Sequence, residues 1–314
     1  MISEKLKDIL LTKRDLKADS IGEDWIKEYF DYAVNLLGIE KIEYVVCNSL
    51  QRRCSCATTR DKKIVILDNY LLELFGLFNW ILEEEGNAVY LESIFYNLAF
   101  EACYVRGYSE GIRKYNKYSF VYSHKNEKME LIQEKVKEGN KYLYAQQVFL
   151  VMHEILHGYF RDYPDDYTVQ KEIVLSVIHR TFNKTYKGIK MVSDEYIEEI
   201  CCDHLAAYAA ISISMEFGHC SDKEAAGAII LALHYQFLLF SIDRMIEEGN
   251  QSLNTSEFAV RASIVGLFVR NYFVQTRPES AESIVREISR IVDVWEKRYL
   301  PALVVFLSRQ SKKK

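Results

Sequence analysis

The chain has 314 residues, room for one large domain or two, and its 40 Lys and Arg against 45 Asp and Glu leave a net charge of −5. That balance gives no reason to expect a nucleic-acid partner; the one basic block, Lys312-Lys313-Lys314, reads as a solvated end. Three prolines and 13 glycines favour long helices with short connections, and seven cysteines, an odd number with no Cys-x-x-Cys pair, read as reduced thiols of a cytoplasmic protein.

The amino terminus, MISEKLKDILLTKRD, alternates charged and apolar residues without a continuous apolar core, so it reads as an amphipathic helix and not as a signal peptide. Apolar residues recur at helical spacing over 23–38, 69–85 and 87–105. Between the first two stand Ile42-Glu43-Tyr44-Val45-Val46-Cys47 and Lys63-Ile64-Val65-Ile66-Leu67. These short β-branched runs, separated by a polar link holding Arg52, Arg53 and Arg60, predict a hairpin or two strands of a small sheet. Segment 107–140 is charged and Tyr-rich and indicates no clear element. Helical pattern resumes near Tyr142 and continues over 166–182, 193–217, 222–248 and two more helices to about residue 309.

No repeat, low-complexity tract or linker interrupts this order. The fold class is therefore mainly α with a small β-sheet: one domain over 1–314, with the sheet in 1–140 and a helical part over 141–314. The 22 tyrosines read as packing groups between helices. Only 225–242 approaches the length of a membrane span. It contains His234 and Gln236, carries charges of both signs at its flanks and has no companion, so it reads as a buried bundle helix, with no membrane partner. His234 reads as a core histidine.

Within the helix that starts near Tyr142 stands His153-Glu154-Ile155-Leu156-His157. Residues four apart share a helix face, so both imidazoles can hold one metal ion, with Glu154 beside them to take a proton from water there. The uncharged run Val148-Phe149-Leu150-Val151-Met152 and the apolar Ile155 and Leu156 supply the dry wall that such an ion needs. A catalytic zinc takes three protein ligands and leaves its fourth position open. The extended motif HExxHxxGxxH is excluded, because Phe160 and Tyr163 stand where it has Gly and His.

Downstream, in Glu198-Glu199-Ile200-Cys201-Cys202-Asp203-His204, Glu199 and Asp203 lie four apart on one helical face. One carboxylate can bind the ion while the other accepts a hydrogen bond from a liganding imidazole. This Glu-x-x-x-Asp arrangement, 42 residues after His157, resembles the gluzincin metallopeptidases, whose zinc ligands are two His and a downstream Glu. The resemblance implies His153, His157 and Glu199 as zinc ligands, Glu154 as general base and Asp203 as support for a liganding imidazole. Glu198, Glu195, Asp194, Cys202 and His204 are rival third ligands. Glu198 is the serious one, since helix phase is not legible to one residue, but Cys202 stands where its Asp would be.

Arg261 occupies roughly the place where several gluzincin families have a His-Pro pair followed by Arg; the pair is missing here. It is a candidate to stabilise a developing oxyanion, the alternative being a cap or an ion pair with a surface acid. The small sheet either holds an extended substrate at a strand edge or only covers the helical core. In layout the chain resembles the bacterial phage-exclusion (Lit-type) peptidases and, second, the family that cleaves phage or mobile-element repressors. Both resemblances imply a tightly controlled cytoplasmic peptidase with a protein or peptide substrate. The competing class is a non-enzymatic helical binding protein whose His153 and His157 sit in the core or hold a structural ion.

Overall fold

The computed structural model describes residues 24–47, 49–59, 62–83, 88, 90–116, 141–182, 193–248 and 255–311. Helix α1 (Asp24–Leu37) stops at Gly38, whose φ of +63° suits a left-handed helix end. Strands β1 (Ile42–Cys47), β2 (Ser55–Thr58) and β3 (Lys63–Asp68) follow, then helices α2 (Asn69–Glu83), α3 (Leu91–Val105) and α4 (Ser109–Asn116). The second half comprises α5 (Leu143–Asp162), α6 (Pro164–Phe182), α7 (Asp194–Glu216), α8 (Asp222–Glu248), α9 (Thr255–Thr276) and α10 (Pro278–Val294). A π-helical turn (Trp295–Tyr299) leads from α10 into α11 (Leu300–Ser311). The expected amino-terminal helix and residues 117–140 of the Tyr-rich segment lie outside the described residues.

A mainly helical fold with a small sheet is what the pattern led us to expect, and of the two arrangements left open for the β-branched runs the structure has two strands of one sheet. β1 and β3 are parallel neighbours, paired from Ile42 with Lys63 to Cys47 with Asp68, so they form no hairpin with each other. Parallel strands need a crossover, and the polar link between them supplies more than that. It contains β2, which runs antiparallel to β3 from Ser55–Ile66 to Thr58–Lys63, giving the order β1-β3-β2. All six residues of β3 are buried, as a central strand requires. Its side chains alternate: Val65 and Leu67 enter the main core, while Ile64 and Ile66 join Val45 and Cys47 on the other face.

Helix α5 lies against this sheet and packs most extensively on α7. Gly158 permits the approach to the sheet. A Cβ there would stand 2.9 Å from Cδ of Lys63 and 3.4 Å from Sγ of Cys56. Helix α8 is long and apolar enough to cross a membrane, but 83% of its apolar window is buried inside the protein, so packing accounts for its composition. The tyrosines behave as packing groups: Tyr235 lies among Phe75, Phe78 and Tyr299.

Candidate metal centre

Two helices supply the site. On α5, His153 and His157 are one turn apart on the face turned toward α7. On α7, the Ser193 side chain accepts the Tyr196 backbone N–H at 3.2 Å, capping the helix and starting the turns that carry Glu199 and Asp203. The crossing brings His153, His157 and Glu199 into one group whose ligand atoms all lie within 4.8 Å of one another.

The closest separations test the fit to an ion. The two Nε2 atoms are 3.2 Å apart, Nε2 of His153 is 3.4 Å from Oε2 of Glu199, and Nε2 of His157 is 3.3 Å from Oε1 of Glu199. Zinc bonds of about 2.0–2.2 Å put tetrahedral corners about 3.3–3.6 Å apart, so each imidazole has the other and one Glu199 oxygen at about the spacing of neighbouring ligands, with the carboxylate offering a different oxygen to each. The hydrogen bond of His157 agrees with this. The Nδ1–H of His157 donates to Oε1 of Glu198 at 2.8 Å, which leaves the Nε2 lone pair facing the triad. Nδ1 of His153 lies 2.9 Å from Oδ1 of Asp203, in ion-pair contact but not aligned for a full hydrogen bond. Two lone pairs facing each other at this distance repel unless a cation or a proton lies between them. The group could therefore hold a metal ion.

This geometry separates the rival carboxylates. Glu199 faces both Nε2 atoms, whereas Glu198 sits behind His157 on the Nδ1 side. Cys202 lies on that same rear side, with Sγ 3.6 Å from Nδ1 of His157. Asp194 is exposed and pairs with Lys171, and Glu195 is exposed. His204 is stacked on Phe268 and accepts the Gln170 amide at Nδ1. His234 behaves as a core histidine. Its Nδ1–H donates to the Ile230 carbonyl, its ring packs on Trp295, and burial pushes its pKa down to about 4.

Arg261, the candidate to stabilise an oxyanion, has its charge engaged by two carboxylates of the site. Its guanidinium is buried behind the triad, donating to Asp203 at 2.7 and 2.9 Å and reaching Oε2 of Glu199 at 3.2 Å. Asp203 is fully buried and needs that cation. Burial would push the Asp203 carboxyl up, but the Arg261 charge and the His153 contact hold it below the usual range. Glu199 is held well below that range too, with both imidazoles and Arg261 overcoming burial. Burial lowers the His153 pKa, but Asp203 and Glu199 reverse the effect and raise it to about 10; His157 is raised likewise by Glu198 and Glu199.

The triad opens on a cavity of about 380 Å³. Glu154 lies on the same wall as both histidines, and Cys54, Ser55 and Cys56 of β2 and its approach form part of the rim. Leu239, Phe240 and Asp243 of α8 line it as well. Sequence reasoning missed Arg52, which also lines the cavity. Its guanidinium is buried, donating to the Leu98 carbonyl at 3.1 Å, to Glu101 at 3.1 Å and to Asp243. The charge content of the 48–62 link was the available signal.

The sequence matches no family model, and comparison with curated proteins and with solved structures finds no match. The functional reading therefore rests on the site itself.

Proposed function

We propose that this protein is a zinc-dependent peptidase of the gluzincin kind. The observation that carries the reading is the gathering of His153, His157 and Glu199, their ligand atoms within 4.8 Å of one another, with Glu154 on the same cavity wall. No further His, Cys, Asp or Glu atom joins the group among the described residues, which favours an open catalytic shell over a closed structural one. Zinc in this site would supply a Lewis acid that polarises a peptide carbonyl and makes water a nucleophile near neutral pH.

The chain's own residues do the remaining work. Glu154 accepts the proton of the attacking water as its oxygen bonds to the carbonyl carbon. It then passes that proton to the amine nitrogen as the C–N bond breaks. Asp203 and Glu198 hold the two imidazoles, and Arg261 holds Asp203. β2, at the edge of the sheet among the described residues, suits an extended peptide aligned by main-chain hydrogen bonds. The layout resemblance to Lit-type peptidases extends the reading to a cytoplasmic enzyme of phage or mobile-element defence acting on a protein substrate.

The test is Glu154→Gln. The variant is expected to keep its fold and one zinc per chain while peptide cleavage falls by about 10²–10⁴-fold. Undiminished cleavage by the zinc-loaded variant overturns the mechanism. Absence of stoichiometric zinc after chelator-free purification of the wild type favours the non-enzymatic alternative.

A further inference from the structure

Three arginines line the cavity, and the fold treats them differently. Arg52 is buried and its charge is matched by Glu101 and Asp243. Arg53 and Arg161 are exposed, and neither has a carboxylate within ion-pair distance among the described residues.

Both are nonetheless held in place. The Arg53 backbone N–H donates to Oδ2 of Asp68 at 3.3 Å, and Asp68 also accepts the N–H groups of Ser49 and Tyr70, each at 3.1 Å. The preceding residue, Arg52, is fixed at φ +55°, a left-handed conformation rare for a residue with a side chain. The backbone of Arg53 is thus pinned, while its guanidinium makes no hydrogen bond or ion pair among the described residues. At the other end of β2, Arg161 donates to the Thr58 hydroxyl, a neutral partner; its charge acts on Glu198, and that of Arg53 on Asp243, without direct contact in either case. Residue 53 precedes β2 and residue 58 ends it, five positions apart, and a bound peptide in extended form covers roughly 16 Å over five residues. Leu71, Leu150, Leu239 and Phe240 give the cavity an apolar lining as well.

We propose that Arg53 and Arg161 select an acidic peptide, one with Asp or Glu on both sides of the scissile bond, about five residues apart, and an apolar side chain between them. This proposal rests on the peptidase reading of the same cavity. Each guanidinium would meet a carboxylate in a charge-assisted pair, and the flanking charges would set the register of a peptide that β2 aligns without regard to sequence.

Two measurements test it. The first uses zinc-loaded Glu154→Gln protein and a neutral-dye-labelled hexapeptide, Asp-Ala-Leu-Ala-Ala-Asp, blocked at both ends, beside its Asn and Lys twins. Fluorescence anisotropy is expected to show the Asp peptide binding about tenfold tighter than the Asn peptide at low salt. Adding Arg53→Ala and Arg161→Ala removes that difference, and adding Arg53→Glu and Arg161→Glu shifts the preference to the Lys peptide; thermal melting checks the fold of each. The second measurement is mass spectrometry of a proteome-derived peptide library cut by the wild-type protein, where Asp and Glu are expected to be enriched on both sides of the cleaved bonds. Cleavage without that enrichment, together with equal binding of the Asp and Asn peptides, overturns the selection and leaves the peptidase standing. Acid-selective binding by a protein that cuts no library peptide overturns the peptidase and leaves the selection standing.

Discussion

His153 and His157 are surrounded by carboxylates, and a proton and a metal ion compete for the same nitrogens. Burial alone would keep both imidazoles neutral, yet Asp203 and Glu199 raise His153 to about 10, and Glu198 and Glu199 raise His157. The carboxylates thus favour a proton on His153, and that proton competes with a cation for Nε2. Zinc binding near pH 7 is expected to release at least one proton per ion, and affinity should climb with pH, roughly tenfold per unit for each proton displaced. Calorimetric titration in two buffers of different ionisation enthalpy measures the release; a heat that does not depend on the buffer would mean that the imidazoles are neutral beforehand. The histidine pair and its Glu-x-x-x-Asp partner were legible in the sequence because spacing by four is a property of one helix. That Glu198 takes the rear nitrogen of His157, and that Arg261 binds Asp203 from α9, depends on how helices cross, which no single-helix pattern encodes.

At the scale of elements, the long helices were legible within a few residues because their apolar faces repeat over several turns. β2 was not. Ser55-Cys56-Ala57-Thr58 is four residues long, has no bulky apolar side chain and is only partly buried, so neither periodicity nor composition marks it. The parallel pairing of β1 with β3 was equally hidden, because strand order follows from the path of the link between them. The site depends on that link, since β2 forms the rim facing the histidine helix. Gly158 sets the separation: a Cβ there already meets Lys63 at 2.9 Å, and the branches of valine would press on Cys56 and Ile42 as well. Gly158→Val is expected to destabilise the fold by about 1–3 kcal/mol and to lower peptide turnover more than zinc content, because β2 would be pushed away while α5 and α7 keep their crossing. Thermal denaturation, metal analysis and a cleavage assay read the three effects. Wild-type stability and turnover together would mean that helix and sheet do not touch at this residue.

Across the whole molecule, a continuous hydrophobic cluster runs from Ile26 on α1 to Leu307 on α11, and the cavity is set into it between the sheet, α5, α7 and α8. One buried polar network ties the two halves of the chain together there. Arg52, in the turn before β2, bonds to Leu98 and Glu101 on α3 and to Asp243 on α8. Tyr70 and Asn97 also donate to Glu101. Burial pushes the carboxyls of Glu101 and Asp243 up, and Arg52 is the main charge opposing it. Arg52→Ala would leave two buried carboxylates without their cation, a loss expected to cost about 3–5 kcal/mol near neutral pH. The sign of its pH dependence follows from linkage. In the variant both groups titrate in the folded state above their unfolded values of about 4, so the folded chain binds more protons than the unfolded chain between those limits, and stability falls as pH rises. The deficit against the wild type should thus be larger near pH 7 than near pH 5. Urea unfolding of both proteins at the two pH values measures it, and a deficit independent of pH would mean that Arg52 acts there through packing and not through its charge.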